Sequence, residues 1–176
     1  MKNKNIKKYY RKAKKLNSSK SWQILCLILA LASSIYFHYH TESKDGVILD
    51  RCVDGDTAKV FIDGKKTTLR FLAIDTPESV HPTIGEEPYG KQASKYTCDL
   101  LSNAKTITLE YDNNSDKTDK YDRHLVWVFV DDNLLQELIV QEGLAEVAYL
   151  YDNYKYTSFL ESAQEKAKEQ KLNIWQ

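Results

Sequence analysis

A chain of 176 residues that is 42% hydrophobic and 28% charged has room for one modest domain and an additional segment. Its formal net charge of zero hides two unlike parts. Nine of the 25 Lys/Arg and none of the 25 Asp/Glu lie in residues 1–40, so residues 41–176 carry 16 basic and 25 acidic groups, net −9.

Residues 1–21 are a basic N-terminus, and residues 22–40 read as a transmembrane anchor or a signal-peptide segment. The uncharged run Trp22–Phe37 holds 16 residues, short of the roughly 20 a spanning helix needs, although Ser33, Ser34 and the aromatics that follow extend it. Lysines ahead of the run predict a cytoplasmic N-terminus with the C-terminal domain outside the cell. Tyr36, Phe37 and Tyr39 suit the far interface. Ala30-Leu31-Ala32 also satisfies the small-x-small pattern of a signal-peptidase site, so secretion after cleavage near Ala32 competes with anchoring. A buried core helix is a third reading. Cys26 within the run reads as a small hydrophobe. No CxxC or Cys/His metal spacing occurs, and Cys52 and Cys98 are expected as two free thiols, with a disulfide outside the cell as the alternative.

Residues 41–45 make a polar linker, and the folded domain is expected over 46–176. The runs VILDRCV and DTAKVFI are rich in β-formers, and Asp63-Gly64 between KVFI and TTLRFLAI is a strong hairpin signal. A loop, ESVHPTIGEEP, follows. Tyr89, Ala93, Tyr96, Leu100 and Leu101 recur at helical spacing, which predicts an amphipathic helix over about 89–103. KTITLEY alternates as a strand does, and DNNSDKTDKYDR is a long polar loop with no core-forming residue before Arg123. HLVWVFV is apolar on both faces, as in a strand buried on both sides. Asn133 is expected to cap a short helix carrying Leu134, Leu135, Leu138 and Ile139, stopped by Gly143. LAEVAYLY reads as another strand or extended segment, and Ser158-x-x-Glu161 as the capping box of a last helix reaching about Lys171. The order βββ-α-ββ-α-(β)-α predicts an α+β domain in which five strands close into an OB-type barrel with three helices outside.

The chemistry lies in the turns. Asp54-Gly55-Asp56-Thr57 places carboxylates just before a strand, and Asp75-Thr76-Pro77-Glu78 ends another. Pro77 fixes its own φ and restricts Thr76, so the second turn is rigid. Hard cations such as Ca²⁺ or Mg²⁺ take oxygen ligands of this kind, whereas either turn taken alone is equally plain turn punctuation. Arg70 stands in an apolar strand and needs an anionic partner, a carboxylate or a ligand, because an unpaired buried charge is costly. Arginine forks suit phosphate oxygens, and Arg123 opens the two-sided strand. One difficulty arises: positions 70 and 75 differ by an odd number and face opposite ways in a regular strand, so a shared site demands that the strand end or bulge between them.

VDGDTAKV, LRFLAIDTPE, EEPYGKQAS, TDKYDRHL, EGLAEVAYLY and KLNIWQ occur in this order from about Val47 to Trp175, and together they resemble the staphylococcal nuclease (thermonuclease) family. The resemblance implies a five-stranded OB-fold barrel with three helices. It implies Ca²⁺ held by Asp56, Asp75 and the Thr76 carbonyl, with Glu78 holding or deprotonating the attacking water. Arg70 and Arg123 correspond to the arginines on the scissile phosphate, and Lys120, Tyr121, Tyr149 and Tyr151 to positions that hold a nucleotide's terminal phosphate and its sugar and base. The family breaks the 5′ P–O bond of DNA or RNA and leaves 3′-phosphates. A monomer is expected.

Two features depart from the family. Its usual tyrosine-glycine-arginine loop reads Tyr121-Asp122-Arg123 here, which adds an anion beside Arg123. The net −9 means that nucleic acid binds strongly only where positive charge clusters locally. A weakened binding module on the same barrel is the alternative to a nuclease. A membrane-bound structural protein using residues 1–20 on anionic lipid is a third reading. His81 in the loop reads as incidental.

Overall fold

In the computed structural model, which describes residues 46–79 and 85–176 and only Gln23 before them, the chain runs β1 (Ile48–Cys52), β2 (Thr57–Ile62), β3 (Lys65–Phe71), β4 (Ile74–Asp75), α1 (Gly90–Asn103), β5 (Ile107–Glu110), β6 (His124–Val130), β7 (Asn133–Leu134), α2 (Leu135–Gln141), β8 (Glu146–Val147) and α3 (Thr157–Glu169). A 3₁₀ turn, Asn173–Trp175, follows. Among the described residues no helix is long and apolar enough to cross a membrane. The basic N-terminus, the anchor or signal segment 22–40, the linker and His81 lie outside the described residues, Gln23 apart.

The five longer strands form one mixed sheet in the order β1-β2-β3-β6-β5, with the short β7 added to β6, and this sheet with three helices has the α+β character of an OB fold. β4 and β8 pair separately. Asp63 (φ 50°) and Gly64 (φ 78°) both take left-handed angles, the geometry that matches a two-residue turn to strand twist, and Ile62 faces Lys65 across it. That register sets Thr57 opposite Arg70 and so brings the DGDT turn to the arginine. β6 runs parallel to β3, with Arg70 beside Leu125, and antiparallel to β5 on its other edge. Between two strands, its Val126, Trp127 and Val128 are fully buried, as its two-sided apolar pattern predicts.

The helices cover the core. Ala93 and Leu101 of α1, Leu135 and Ile139 of α2, and Leu160 and Ala163 of α3 are buried with Leu69, Phe71 and Ile74. Gln136 is wholly buried: its Nε2 donates to the Val126 carbonyl (2.9 Å), and its Oε1 accepts the Val128 N–H (3.2 Å). A buried amide satisfied this way ties α2 to the back of β6.

Several expectations need correction. Cys52 and Cys98 are not free thiols but a disulfide, because α1 packs on β1 and brings their Cα atoms to 5.6 Å. Asn133 caps no helix; its amide donates to the Asp131 and Val130 carbonyls (3.0 and 3.4 Å), closing the turn in which Asp131 and Asp132 have positive φ. α2 starts after it, at Leu135. Ser158 lies inside the first turn of α3, after the N-cap position Tyr156, so no capping box forms. Of LAEVAYLY only Glu146–Val147 is strand, and Tyr149 (φ 56°) turns the chain away.

The polar loop 111–123 does contain a buried anchor, Asp112. Its carboxylate accepts Trp127 Nε1 (2.9 Å), the Lys155 N–H (2.7 Å) and the Asn114 N–H (2.9 Å). Burial opposes its ionisation, but the N–H groups of Lys155, Asn114 and Trp127 outweigh burial and hold the carboxyl below its ordinary value. A depressed folded-state value contributes stability that is complete above the ordinary carboxylate value and is lost as pH falls from there through the lower folded-state value. Asp112→Asn is expected to cost about 1–3 kcal/mol at neutral pH, since whichever oxygen becomes an NH₂ group then faces at least one of these N–H donors. In melts from pH 7 down to pH 3, the gap in melting temperature between wild type and Asp112→Asn should close on the acid side. A constant gap would show that the loss comes from packing.

Candidate active site

β3 ends at Phe71, and Ala73 (φ 61°) reverses the chain before β4 pairs with β8. This break removes the parity problem: Arg70 and Asp75 come to the same side, and Arg70 Nη2 donates to Asp75 Oδ1 at 3.0 Å. Asp56 arrives from the turn before β2, its carbonyl accepting the Phe71 N–H at 2.9 Å. Its Oδ2 accepts the Thr76 N–H and Oγ1–H, each at 3.2 Å, and its Oδ1 accepts the Thr57 hydroxyl at 2.8 Å. Asp56, Arg70 and Thr76 are buried, Asp75 is half-buried and Glu78 is exposed.

The turns fit closely because two residues lack side chains. A Cβ on Gly55 would lie 2.6 Å from Thr76 Oγ1, and one on Gly90 would lie 2.2 Å from the Glu78 carbonyl oxygen. Thr97 of α1 donates its hydroxyl to the Gly55 carbonyl at 2.7 Å, next to the disulfide at Cys98. The Glu78 N–H donates to Glu87 Oε2 (2.9 Å), and the Glu87 N–H donates to the Glu78 carbonyl (3.0 Å), closing the loop between them at its base.

Charge is unbalanced here. Asp56 and Asp75 flank the Arg70 guanidinium, and Glu78 feels the charges of Asp54, Asp56 and Asp75. Burial, then the Asp56 charge, raise the Asp75 carboxyl despite Arg70. A hydrogen bond with Asp54 first, then burial and the charges of Asp54, Asp56 and Asp75, push Glu78 up to about 7. Arg70 Nη1 lies 2.8 Å from Asp56 Oδ2 as an ion pair, yet this buried donor has no aligned hydrogen-bond acceptor among the described residues. Distance alone makes the ion pair; alignment would make the hydrogen bond.

Tyr149 joins this cluster, its hydroxyl 3.3 Å from Asp75 Oδ2 and its ring 5.4 Å from Arg70 Cζ, with exposed Tyr151 6.4 Å away ring to ring. Arg123, Lys120 and Tyr121 form a second group, with Lys120 Nζ 5.0 Å and Arg123 Cζ 5.6 Å from the Tyr121 ring. Leu69 registers with His124, so Arg123 directly precedes β6 beside the end of β3 that carries Arg70. Asp122 takes a left-handed φ of 59° at the position where the related loop carries glycine, and Arg123 pairs with Asp119 (2.7 Å). The anion that the sequence sets beside Arg123 is therefore part of the turn, and the ion pair forms with Asp119. The sequence does not single out Asp119, and it shows Asp54 only as part of the DGDT turn. Asp119 sits four residues before Arg123, a spacing that offered a weak signal, while nothing local marks Asp54 as the partner of Glu78.

Among the described residues no three His, Cys, Asp or Glu side chains converge as a ready-made metal cluster. Asp56 and Asp75, which flank one guanidinium, are nonetheless hard oxygen donors of the kind a divalent cation takes, and the Thr76 carbonyl follows directly in the chain.

The profile of a family described as "Staphylococcal nuclease homologue" matches residues 68–176, starting after the DGDT turn. The chain is 46% identical over 130 residues to Endonuclease YncB of Bacillus subtilis, covering 73% of this chain and 61% of that protein. It is 46% identical over 130 residues to the SPbeta prophage-derived endonuclease YokF of the same organism, covering 73% and 43%. Against the Thermonuclease of Staphylococcus hyicus it is 42% identical over 125 residues, covering 71% and 72%. The chain thus spans less than two thirds of the two Bacillus proteins.

Proposed function

The chain belongs to the staphylococcal nuclease family, and from that premise we propose that its 46–176 domain hydrolyses phosphodiester bonds of DNA or RNA in a Ca²⁺-dependent reaction leaving 3′-phosphates. The observation that carries this reading is Arg70: a buried guanidinium 2.8 Å from Asp56 and 3.0 Å from Asp75, which joins the DGDT and DTPE turns at one point.

The residues take roles that follow from their chemistry. Phosphodiester hydrolysis requires a nucleophile to approach an anion. Arg70 and Arg123 hold the phosphate and neutralise charge as it grows in the transition state, where each preorganised donor is worth about 10²–10³ in rate. Asp56, Asp75 and the Thr76 carbonyl are the groups that would hold Ca²⁺. When bound, the ion supplies charge neutralisation at the phosphate and favours ionised neighbours. Glu78, beyond the rigid Pro77, orients or deprotonates the attacking water. Tyr149 and Tyr151 with Lys120 and Tyr121 offer stacking faces and charge to the nucleotide, which tolerates any base. These clusters are the local positive and aromatic surface that a domain of net −8 needs in order to bind a polyanion.

Export is the second half of the proposal. The basic residues 1–21 followed by the apolar segment support anchoring or secretion, and the Cys52–Cys98 disulfide suits an oxidising compartment. The purified chain, incubated with single-stranded DNA, is expected to cut it with Ca²⁺ and to stop when excess EGTA is added. End-group analysis should find 3′-phosphates. Cleavage that persists in EGTA overturns the metal dependence; a folded chain that binds DNA and never cuts it supports the binding-module alternative.

A further inference from the structure

Resting on the nuclease reading, we propose that Asp119 is a positioning residue that aims Arg123 at the substrate phosphate. The 119–123 turn before β6 is built around this carboxylate. Asp119 Oδ1 accepts the backbone N–H of Tyr121 (2.9 Å) and of Arg123 (3.0 Å), and Oδ2 accepts the Arg123 Nε–H at 2.7 Å. Two backbone bonds complete the knot: the Asp119 N–H donates to the Arg123 carbonyl and the Asp122 N–H to the Asp119 carbonyl, both at 3.0 Å.

Three consequences follow from that geometry. First, a carboxylate bonded at Nε fixes the plane of the guanidinium while leaving the Nη edge, the edge that grips a phosphate, for another acceptor. Among the described residues Arg123 forms no other ion pair. Second, the Tyr121 ring lies 5.6 Å from Arg123 Cζ, so the guanidinium has a carboxylate at one edge and an aromatic face nearby. Third, the Asp119 side chain is 17% exposed and that of Arg123 32%, so the anion sits inward and the cation outward. Burial opposes ionisation of Asp119, but the Arg123 N–H, the guanidinium and the Tyr121 N–H outweigh it and keep the carboxyl below its ordinary value, charged at any working pH. A long, rotamer-rich arginine is thus ordered before substrate arrives, and the entropy of ordering it is not lost at the moment of binding. Asp122, held at φ 59°, makes the turn that permits this and does not compete for the guanidinium.

The test is a double-mutant cycle on the full chain with Asp119→Asn, Arg123→Ala and the pair together. Asparagine keeps an oxygen for the two backbone N–H groups and gives up the charge at Nε, so Asp119→Asn should fold. Its kcat on single-stranded DNA is expected to fall about ten- to a hundredfold, with KM changed by less than about threefold. In the Arg123→Ala background the same substitution should change kcat by less than about twofold, because there is no guanidinium left to aim. The ¹⁵N-detected Arg123 Nε–H should exchange slowly with water in the wild type and rapidly in Asp119→Asn. Equal losses in both backgrounds, or a wild-type Nε–H that exchanges as fast as that of a free arginine, would overturn the proposal. If the wild type cuts no nucleic acid, the nuclease reading fails by itself. The Nε–H exchange, which needs no activity and no variant, then still decides whether Asp119 holds Arg123.

Discussion

Arg70→Gln is expected to reduce turnover on DNA by about 10²–10³ or more and to cost about 3–5 kcal/mol of stability as well. Both effects have one origin. Arg70 and Asp56 side chains are each 11% exposed, and Asp75 lies on the other branch of the same guanidinium. Removing the cation leaves two carboxylates close together in a poorly solvated pocket, which is the expensive way to break a buried pair. Activity must therefore be measured at a temperature where circular dichroism shows the variant folded. A second measurement separates the two roles. Ca²⁺ binding to Asp56 and Asp75 would supply the missing positive charge, so Ca²⁺ should raise the melting temperature of Arg70→Gln more than that of the wild type. Equal shifts would place the ion elsewhere, and a variant that keeps near-wild-type turnover would remove Arg70 from the reaction.

Breaking the Cys52–Cys98 bond is expected to cost about 4 kcal/mol, by the loop-entropy argument for a cross-link spanning 46 residues. That closed loop contains Asp56, Arg70, Asp75, Thr76 and Glu78, and α1, which carries Cys98, holds the Gly55 carbonyl through Thr97. Reduction should therefore loosen the acidic pocket as well as the fold. Urea unfolding of the wild type with and without reductant, beside a Cys52→Ser/Cys98→Ser variant, checks the stability. Thiol titration of the denatured full-length chain should find the Cys26 thiol alone before reduction and all three cysteines afterwards. Coincident unfolding curves with and without reductant would refute the stabilising role.

Features set by near neighbours were legible in the sequence. Asp63-Gly64 makes its turn because both residues tolerate positive φ, whatever surrounds them. β6 is buried on both faces because every one of its side chains after His124 is apolar, and α1 follows the helical spacing of its own apolar residues. The candidate site residues were named in the same way, from charged residues at the ends of apolar runs, together with a family pattern that spans the domain. Helix starts were less legible. Asn133 and Ser158 carry capping side chains, but the 131–133 turn uses the first and the helix begins before the second.

What tertiary structure decided were the meetings between residues distant in the chain. Arg70 and Asp75 are on opposite faces by strand parity and become partners because Ala73 breaks the strand and β8 offers β4 a new edge. Cys52 and Cys98 become a bond because α1 packs on β1, and Asp112 becomes a core anchor because Trp127 and Lys155 point N–H groups at it from two other segments. The amino-acid order by itself determined which chemical groups this protein has and which local turns present them. Their pairing depends on packing that minimises buried, unsatisfied polarity across the whole domain, and no window of sequence contains that sum.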